Sequence, residues 1–121
     1  MKFGAQFVNY FTNWEATLPA IKTVEAGRWN SLWFSDHFLP PVGPAQEAGD
    51  ALESWSMITA AAAVTSRLRL GILVTGNTYR NPGLTAKMAG TVDQISLRPS
   101  ASVPTSSILL IAFNSLSFNK T

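Results

Sequence analysis

Apolar positions along the chain switch between a two-residue rhythm and a helical one, and the switches define the elements. Residues 2–8 form a short run containing Phe3, Phe7 and Val8, closed by the polar Asn9, Thr12 and Asn13, which predicts a first strand. A helix is predicted next. Thr12 and Glu15 have the spacing of a capping box, Leu18, Ile21 and Val24 or Glu25 continue on one face, and Gly27 is placed to end the helix in a left-handed conformation. Pro19 either kinks this helix or is its first residue. Residues 31–38 have the aromatic content of a second strand, after which Pro40, Pro41, Gly43 and Pro44 impose a loop. Asp50 and Glu53 offer a cap for an alanine-rich helix over 52–66. Residues 68–75 alternate like a third strand. Asn81 before Pro82 opens a third helix, with Leu84, Met88, Thr91 and Ile95 at helical spacing.

Strand and helix therefore alternate three times within residues 1–96. This order implies an α/β fold of parallel strands joined by crossover helices, with no shorter repeat inside it. The pattern stops at Leu97. From 97 to 121 no acidic residue occurs, Ser and Pro are frequent, and the apolar content is concentrated in ILLIAF at 108–113. Residues 1–96 are read as one domain-like part and 97–121 as a divergent or aberrant tail. A native extension that packs as a strand is the alternative reading of the tail.

Composition narrows the function classes. Hydrophobic residues at 46% and charged residues at 13% supply ample apolar surface for a core and do not suit a disordered chain. The formal net charge is +2, but residues 1–96 balance seven basic against seven acidic side chains, and the excess comes from Arg98 and Lys120. No clustered basic face is evident, so nucleic acid is not an expected partner. The absence of cysteine removes disulfides and thiolate metal sites. Gln6 and Asn9 interrupt the apolar start, and the longest purely apolar run is far short of the ~20 residues a membrane helix requires. A soluble cytoplasmic protein with no membrane partner is the resulting expectation.

In sheets of parallel βα units, ligands bind beyond the carboxyl ends of the strands, where loops and helix amino ends converge. That rule selects Asn9 and Tyr10, then Asp36 and His37, then the run from Thr75 to Arg80. His37 is the single histidine. By alternation Leu32 and Phe34 face the helices, which puts Trp33, Ser35 and His37 on the inner side, where an imidazole can move a proton or hydrogen-bond a cofactor. An ordinary surface histidine is the competing reading. Asp36 orients His37 or a loop amide, or simply ends the strand. Gly71 leaves room on the inner face, and Gly76 and Asn77 permit unusual backbone angles, although a loop selected for geometry alone would share those features. Trp14, Trp29, Trp33 and Trp55 read as packing residues. Arg67 and Arg69, at the opposite end of the third strand, read as solvated.

The segments SLWFSDHF at 31–38, LESW at 52–55, TSRLRLG at 65–71, VTGNTYRNP at 74–82 and AKMAGTVDQIS at 86–96 resemble the luciferase-like monooxygenase superfamily. The likeness is greatest to its deazaflavin-dependent oxidoreductase branch. It implies part of a TIM (β/α)8 barrel, the first three βα units, with FMN or a deazaflavin as cofactor and a small molecule as substrate. It also implies that His37, paired with Asp36, lies beside the reactive ring as the catalytic residue. Leu73, Val74, Thr75, Gly76 and Asn77 would form the bulge behind that ring, with a non-proline cis peptide between Leu73 and Val74. The departure begins after Ser96, where the family continues with a glycine-rich fourth strand and this chain has Leu97 and Arg98. The resulting expectation is a truncated oxidoreductase, inactive by itself, whose tail reflects a frameshift, a retained intron or a gene-model error. A non-catalytic half barrel that self-associates through unpaired strand edges is the alternative from a different class.

Overall fold

The computed structural model describes residues 1–40, 51–76 and 78–96. Strands β1 (Gly4–Phe7), β2 (Ser31–Phe34) and β3 (Arg69–Ile72) alternate with helices α1 (Trp14–Ala26), α2 (Ser54–Val64) and α3 (Pro82–Ile95). The strands pair in parallel in the order β1-β2-β3, as the alternation predicts. The expected cap at Asp50, the loop at Pro41, Gly43 and Pro44, the role of Asn77 and the reading of 97–121 fall outside the described residues.

The register explains which side of the sheet is covered. Ala5, Leu32 and Leu70 stand in one row, and Phe7, Phe34 and Ile72 in the next. These rows face α1 and α2, and with Ile21, Trp55, Ile58, Ala61 and Val92 they form the core. Period-two alternation puts the intervening rows on the opposite face: Gly4 with Ser31 and Arg69, and Gln6 with Trp33 and Gly71. The apolar rows thus meet helices, and the rows of small and polar residues form the inner face.

The strands are shorter than the sequence predicts, and the helices begin at side-chain caps. At α1 the cap is Asn13 and not Thr12: the Asn13 side chain accepts the Ala16 amide at 2.9 Å. An asparagine directly before the first turn competes well with a threonine one residue earlier. Pro19 lies inside α1, and the helix continues past it to Ala26. Glu53 caps α2 by accepting the amides of Trp55 and Ser56. Asn81 caps α3 with Pro82 at its start, as predicted. Along α3, however, Thr85 and Val92 are the buried positions, while Met88, Thr91 and Ile95 line a groove against Trp55, Ala60 and Ala63 of α2. Among the described residues, no helix is long and apolar enough to cross a membrane.

Two expectations at the far end of β3 are corrected. Gly27 ends α1 with φ −80° and ψ −168°, an extended conformation and not a left-handed one. The reason is Arg67, which is not merely solvated. Its guanidinium donates to the carbonyls of Glu25 at 2.6 Å, Gly27 at 2.9 Å and Trp29 at 2.5 Å, covering the exposed helix end that a left-handed turn would otherwise satisfy. In return the Glu25 carboxylate accepts the amides of Ser66 and Arg67 at 2.8 Å each and that of Leu68 at 3.2 Å.

Burial pushes the Glu25 carboxyl up, but these amides and the Ser66 hydroxyl outweigh it and hold the carboxyl below its ordinary value. A carboxylate lowered on folding contributes stability that is present above its unfolded value and lost as pH falls through the folded one. Thermal melts of the wild type and Glu25→Gln from about pH 6 to about pH 3 are therefore expected to show a difference that closes as the medium becomes acidic. Arg67→Ala is expected to cost about 1 kcal/mol in the same melts, since its partners are neutral carbonyls near solvent.

Candidate functional site

The loops at the carboxyl ends of the three strands converge on the amino end of α2. After β1, Asn9 accepts the Leu52 amide on its carbonyl at 2.9 Å, its side-chain amide donates to the Leu52 carbonyl, and Tyr10 bridges to Ala51. After β2, the Ser35 carbonyl accepts the Ser54 hydroxyl. The Gln6 side chain reaches Ser35 Oγ at 3.4 Å, so the inner-face alternation of Gln6 and Trp33 continues to Ser35. Trp33 donates its indole N–H to Ser31 Oγ at 2.9 Å.

Asp36 is 3% exposed, and its charge is fully engaged. Arg80 donates to it through a two-pronged fork, Nε to Oδ2 at 2.6 Å and Nη2 to Oδ1 at 2.5 Å. Oδ2 also accepts the Gly76 amide at 3.0 Å. Arg80 Nη2 further meets Glu53 Oε1 at 2.5 Å, and the guanidinium lies 5.5 Å from the Phe38 ring and 5.8 Å from the Tyr79 ring. The Tyr79 hydroxyl donates to the Asp36 carbonyl. The sequence reading left open whether Asp36 orients His37, holds a loop amide or ends the strand; the loop amide it holds is that of Gly76.

Neighbouring charges follow from this network. The bond to Asp36, against the opposing effect of burial and with help from Glu53, raises Arg80 above its already high ordinary value. Burial alone would raise Glu53, but its bonds to Ser56, Trp55 and Arg80 bring it below the usual glutamate value. Tyr79 is raised by burial and by the Asp36 charge. Tyr10 is likewise raised by burial, with Ser35 opposing and Asp36 adding to the effect.

His37 is exposed, and its ring stands edge-on to Tyr10 with centroids 5.9 Å apart. The peptide between Leu73 and Val74 is cis, at the position the resemblance indicated. Leu73 is exposed, Val74 partly covered and Thr75 fully buried, and the Leu73 amide donates to the Phe34 carbonyl at 2.8 Å. Two buried side-chain oxygens at this end of the sheet, Thr75 Oγ1 and Asn9 Oδ1, have no hydrogen-bond partner among the described residues. Among the described residues, no group of three or more His, Asp or Glu could hold a metal ion.

The structure therefore joins Asp36 to Gly76, with His37 next to Asp36 in the chain and its ring turned to Tyr10. It adds Glu53, read from sequence only as a cap, and gives Tyr79 and Arg80, which sequence reasoning placed in the run beyond β3 without a task of their own, a shared partner in Asp36. A signal for Arg80 was present: a buried carboxylate at a strand end requires a cation, and Arg80 is the basic residue in the runs selected at that end.

The family model for luciferase-like monooxygenases matches residues 4–97. No curated protein sequence matches the chain at a significant level. Among solved structures, the chain is similar to the coenzyme F420 dependent tetrahydromethanopterin reductase of Methanopyrus kandleri, with a TM-score of 0.61 and 24% identity. That alignment covers 78% of this chain and 24% of the reductase chain, so this chain spans about a quarter of its length. At this identity the likeness shows the fold: the three βα units correspond to part of a TIM-barrel-like fold.

Gly76 is the position where this packing leaves no latitude. A Cβ there would stand 2.0 Å from Tyr79 Cζ and 2.2 Å from its hydroxyl oxygen, so the ring would have to move. Gly76→Ala is expected to displace Tyr79 and to cost about 1–3 kcal/mol, read as a lowered denaturation midpoint. Gly90→Ala is the matched control, because a Cβ at Gly90 meets nothing within 4 Å. It is expected to be neutral or to stabilise α3 by up to about 1 kcal/mol.

Proposed function

The chain belongs to the luciferase-like monooxygenase family, and from that membership we propose that it carries the first wall of an oxidoreductase site for a reduced flavin or deazaflavin. The observation that supports this most is the bond from the Gly76 amide to Asp36, the chain neighbour of His37, beyond the carboxyl ends of parallel strands. The residues present fit such a ring. Thr75 Oγ1 and Asn9 Oδ1 are buried polar atoms without partners among the described residues, a condition that a ligand with hydrogen-bonding edges would relieve. Gly71 pairs with Trp33 on the inner face, so the row that would face the ring carries no side chain at that position of β3.

When bound, a reduced deazaflavin supplies a hydride, and a reduced flavin can also activate oxygen. The chain's own residues then have separate tasks. Leu73, Val74, Thr75 and Gly76 back the ring, and Asn77 is assigned to the same stretch by resemblance. His37 is the catalytic candidate: its exposed imidazole can hold or donate a proton at the mouth. Asp36, its pair by resemblance, gives both oxygens to Arg80 and the Gly76 amide and so acts on His37 only as its neighbour in the chain. The substrate is a small molecule. Residues 1–96 form the barrel part and 97–121 a divergent tail, and three strands supply only one side of a pocket that a complete barrel would close.

A second reading, a non-catalytic half barrel that pairs with another copy, is favoured by one observation. Among the described residues, β1 and β3 each have a strand neighbour on one side only.

The test titrates the 121-residue chain with FMN and with coenzyme F420 while ring fluorescence is followed, with sedimentation in parallel. Weak saturable binding is expected, with a dissociation constant of about 0.1 mM or above, loosened further in Thr75→Val. His37→Ala is expected to lower hydride transfer in the barrel-complete protein far more than it lowers the melting temperature. No binding by either cofactor up to millimolar concentration sinks the oxidoreductase reading. Micromolar binding by a monodisperse monomer contradicts the argument that three strands form only one wall.

A further inference from the structure

We propose that Arg80 is the positioning residue of this site, its guanidinium clasping Asp36 and Glu53 and thereby setting where His37 and the Thr75 and Gly76 backbone stand. Calling this place the site rests on the oxidoreductase reading above; the clasp itself rests on geometry alone.

Three segments distant in sequence end on one guanidinium. Glu53 is fixed to α2 because it caps that helix, accepting Trp55 N at 3.1 Å and Ser56 N at 2.7 Å. Arg80 links this cap to Asp36 with contacts of 2.5 and 2.6 Å. Asp36 passes the constraint to the 73–76 segment through the Gly76 amide, and to His37 as its immediate chain neighbour. The path from the α2 cap through Glu53, Arg80 and Asp36 to Gly76 is continuous, and each step is a charge-assisted hydrogen bond.

A role for Arg80 as an anion clamp fits less well. Its charged end already faces two carboxylates, its side chain is 10% exposed, and the rings of Phe38 and Tyr79 flank it. A lysine would keep the charge but could neither span Oδ1 and Oδ2 of Asp36 with a planar fork nor stack on the two rings. Arg80→Lys therefore separates geometry from charge.

The test uses the full chain without cofactor. Amide hydrogen exchange is followed by mass spectrometry in the wild type, Arg80→Lys, Arg80→Met and Glu53→Gln, with residues 65–70 at the opposite end of β3 as internal reference. In Arg80→Lys, exchange is expected to rise about tenfold together in segments 35–40, 51–54 and 73–76, and to stay unchanged in 65–70. Glu53→Gln keeps a capping oxygen and is expected to show the same pattern more weakly, so the proposal remains testable if Arg80→Met does not fold. Because the chain has one histidine, the imidazole proton signals report on His37 alone, and they are expected to shift in Arg80→Lys with loss of the cross-peak to the Tyr10 ring. A rise that is uniform along the chain, or confined to residues next to position 80, overturns the proposal. So do His37 signals identical to the wild type, because a purely stabilising arginine would lower the melting temperature without moving that ring. A positive clasp result beside failed cofactor binding would overturn the oxidoreductase reading and leave the clasp intact.

Discussion

A carboxylate withdrawn from water is costly unless a cation and hydrogen-bond donors replace its hydration, and the arrangement of this end of the molecule follows from how Asp36 meets that requirement. Three donors surround its two oxygens, Nε and Nη2 of Arg80 and the Gly76 amide. They come from the chain after β3, so the loop after β2 is tied to the loop after β3 by an interaction neither could abandon separately. Without Arg80, Asp36 would be a buried charge with one amide. Without Asp36, Arg80 would retain Glu53, which is half exposed and already committed to capping α2. The pair is thus less a gain in stability than a mutual constraint, which is the use to which buried ion pairs are best suited.

An arginine and a carboxylate also fasten the other end of the sheet, and the comparison shows how context separates the two. Arg67 addresses neutral carbonyls at the end of α1, while Glu25 addresses backbone amides, so each charge meets dipoles instead of its opposite. That exposed clasp closes a helix end against a strand start. At the site end, charge faces charge in a place shielded by Phe38 and Tyr79. The first arrangement serves the fold alone. The second tolerates little displacement, because the Tyr79 ring occupies the space a side chain at residue 76 would need.

The alternation of elements was legible in the sequence because hydrophobic period and turn residues report local geometry directly. Leu32 and Phe34 against the helices, Trp33 and Ser35 on the inner face, and Asn81 with Pro82 at the start of α3 all follow from such local rules. Resemblance contributed the cis bond between Leu73 and Val74, which no composition or spacing would indicate. What was not legible depends on contacts between distant residues. Gly27 was expected to turn left-handed because a helix end needs its carbonyls satisfied; nothing near it in sequence discloses that Arg67, 40 residues away, satisfies them. Likewise Glu53 reads locally as a cap, and its second role becomes visible only when Arg80, 27 residues on, is brought beside it. On α3, the spacing of Leu84, Met88, Thr91 and Ile95 announced a helix correctly. It did not say which stripe would be covered, since that depends on the neighbour and not on the period.

The two faces of the sheet differ in what they contribute to the fold. On the helix side the rows Ala5, Leu32, Leu70 and Phe7, Phe34, Ile72 are apolar and pack against α1 and α2, with Leu32, Phe34, Leu70 and Ile72 buried and Ala5 and Phe7 partly so. On the inner side the rows Gly4, Ser31, Arg69 and Gln6, Trp33, Gly71 offer little apolar area apart from one indole, and that indole is held by Ser31 and lies close over Gly4, where a Cβ would stand 2.8 Å from Trp33 Nε1. Apart from that indole and Arg69, these rows are glycine, serine and glutamine, so they add little apolar burial of their own. The network around Arg80 stands at the rim of that face, at the ends of the same strands. Rim and strands are thus held by different means, the loops by charge at Asp36 and Arg80 and the strands by their helix-side core, so a change within the inner rows can leave both holds in place.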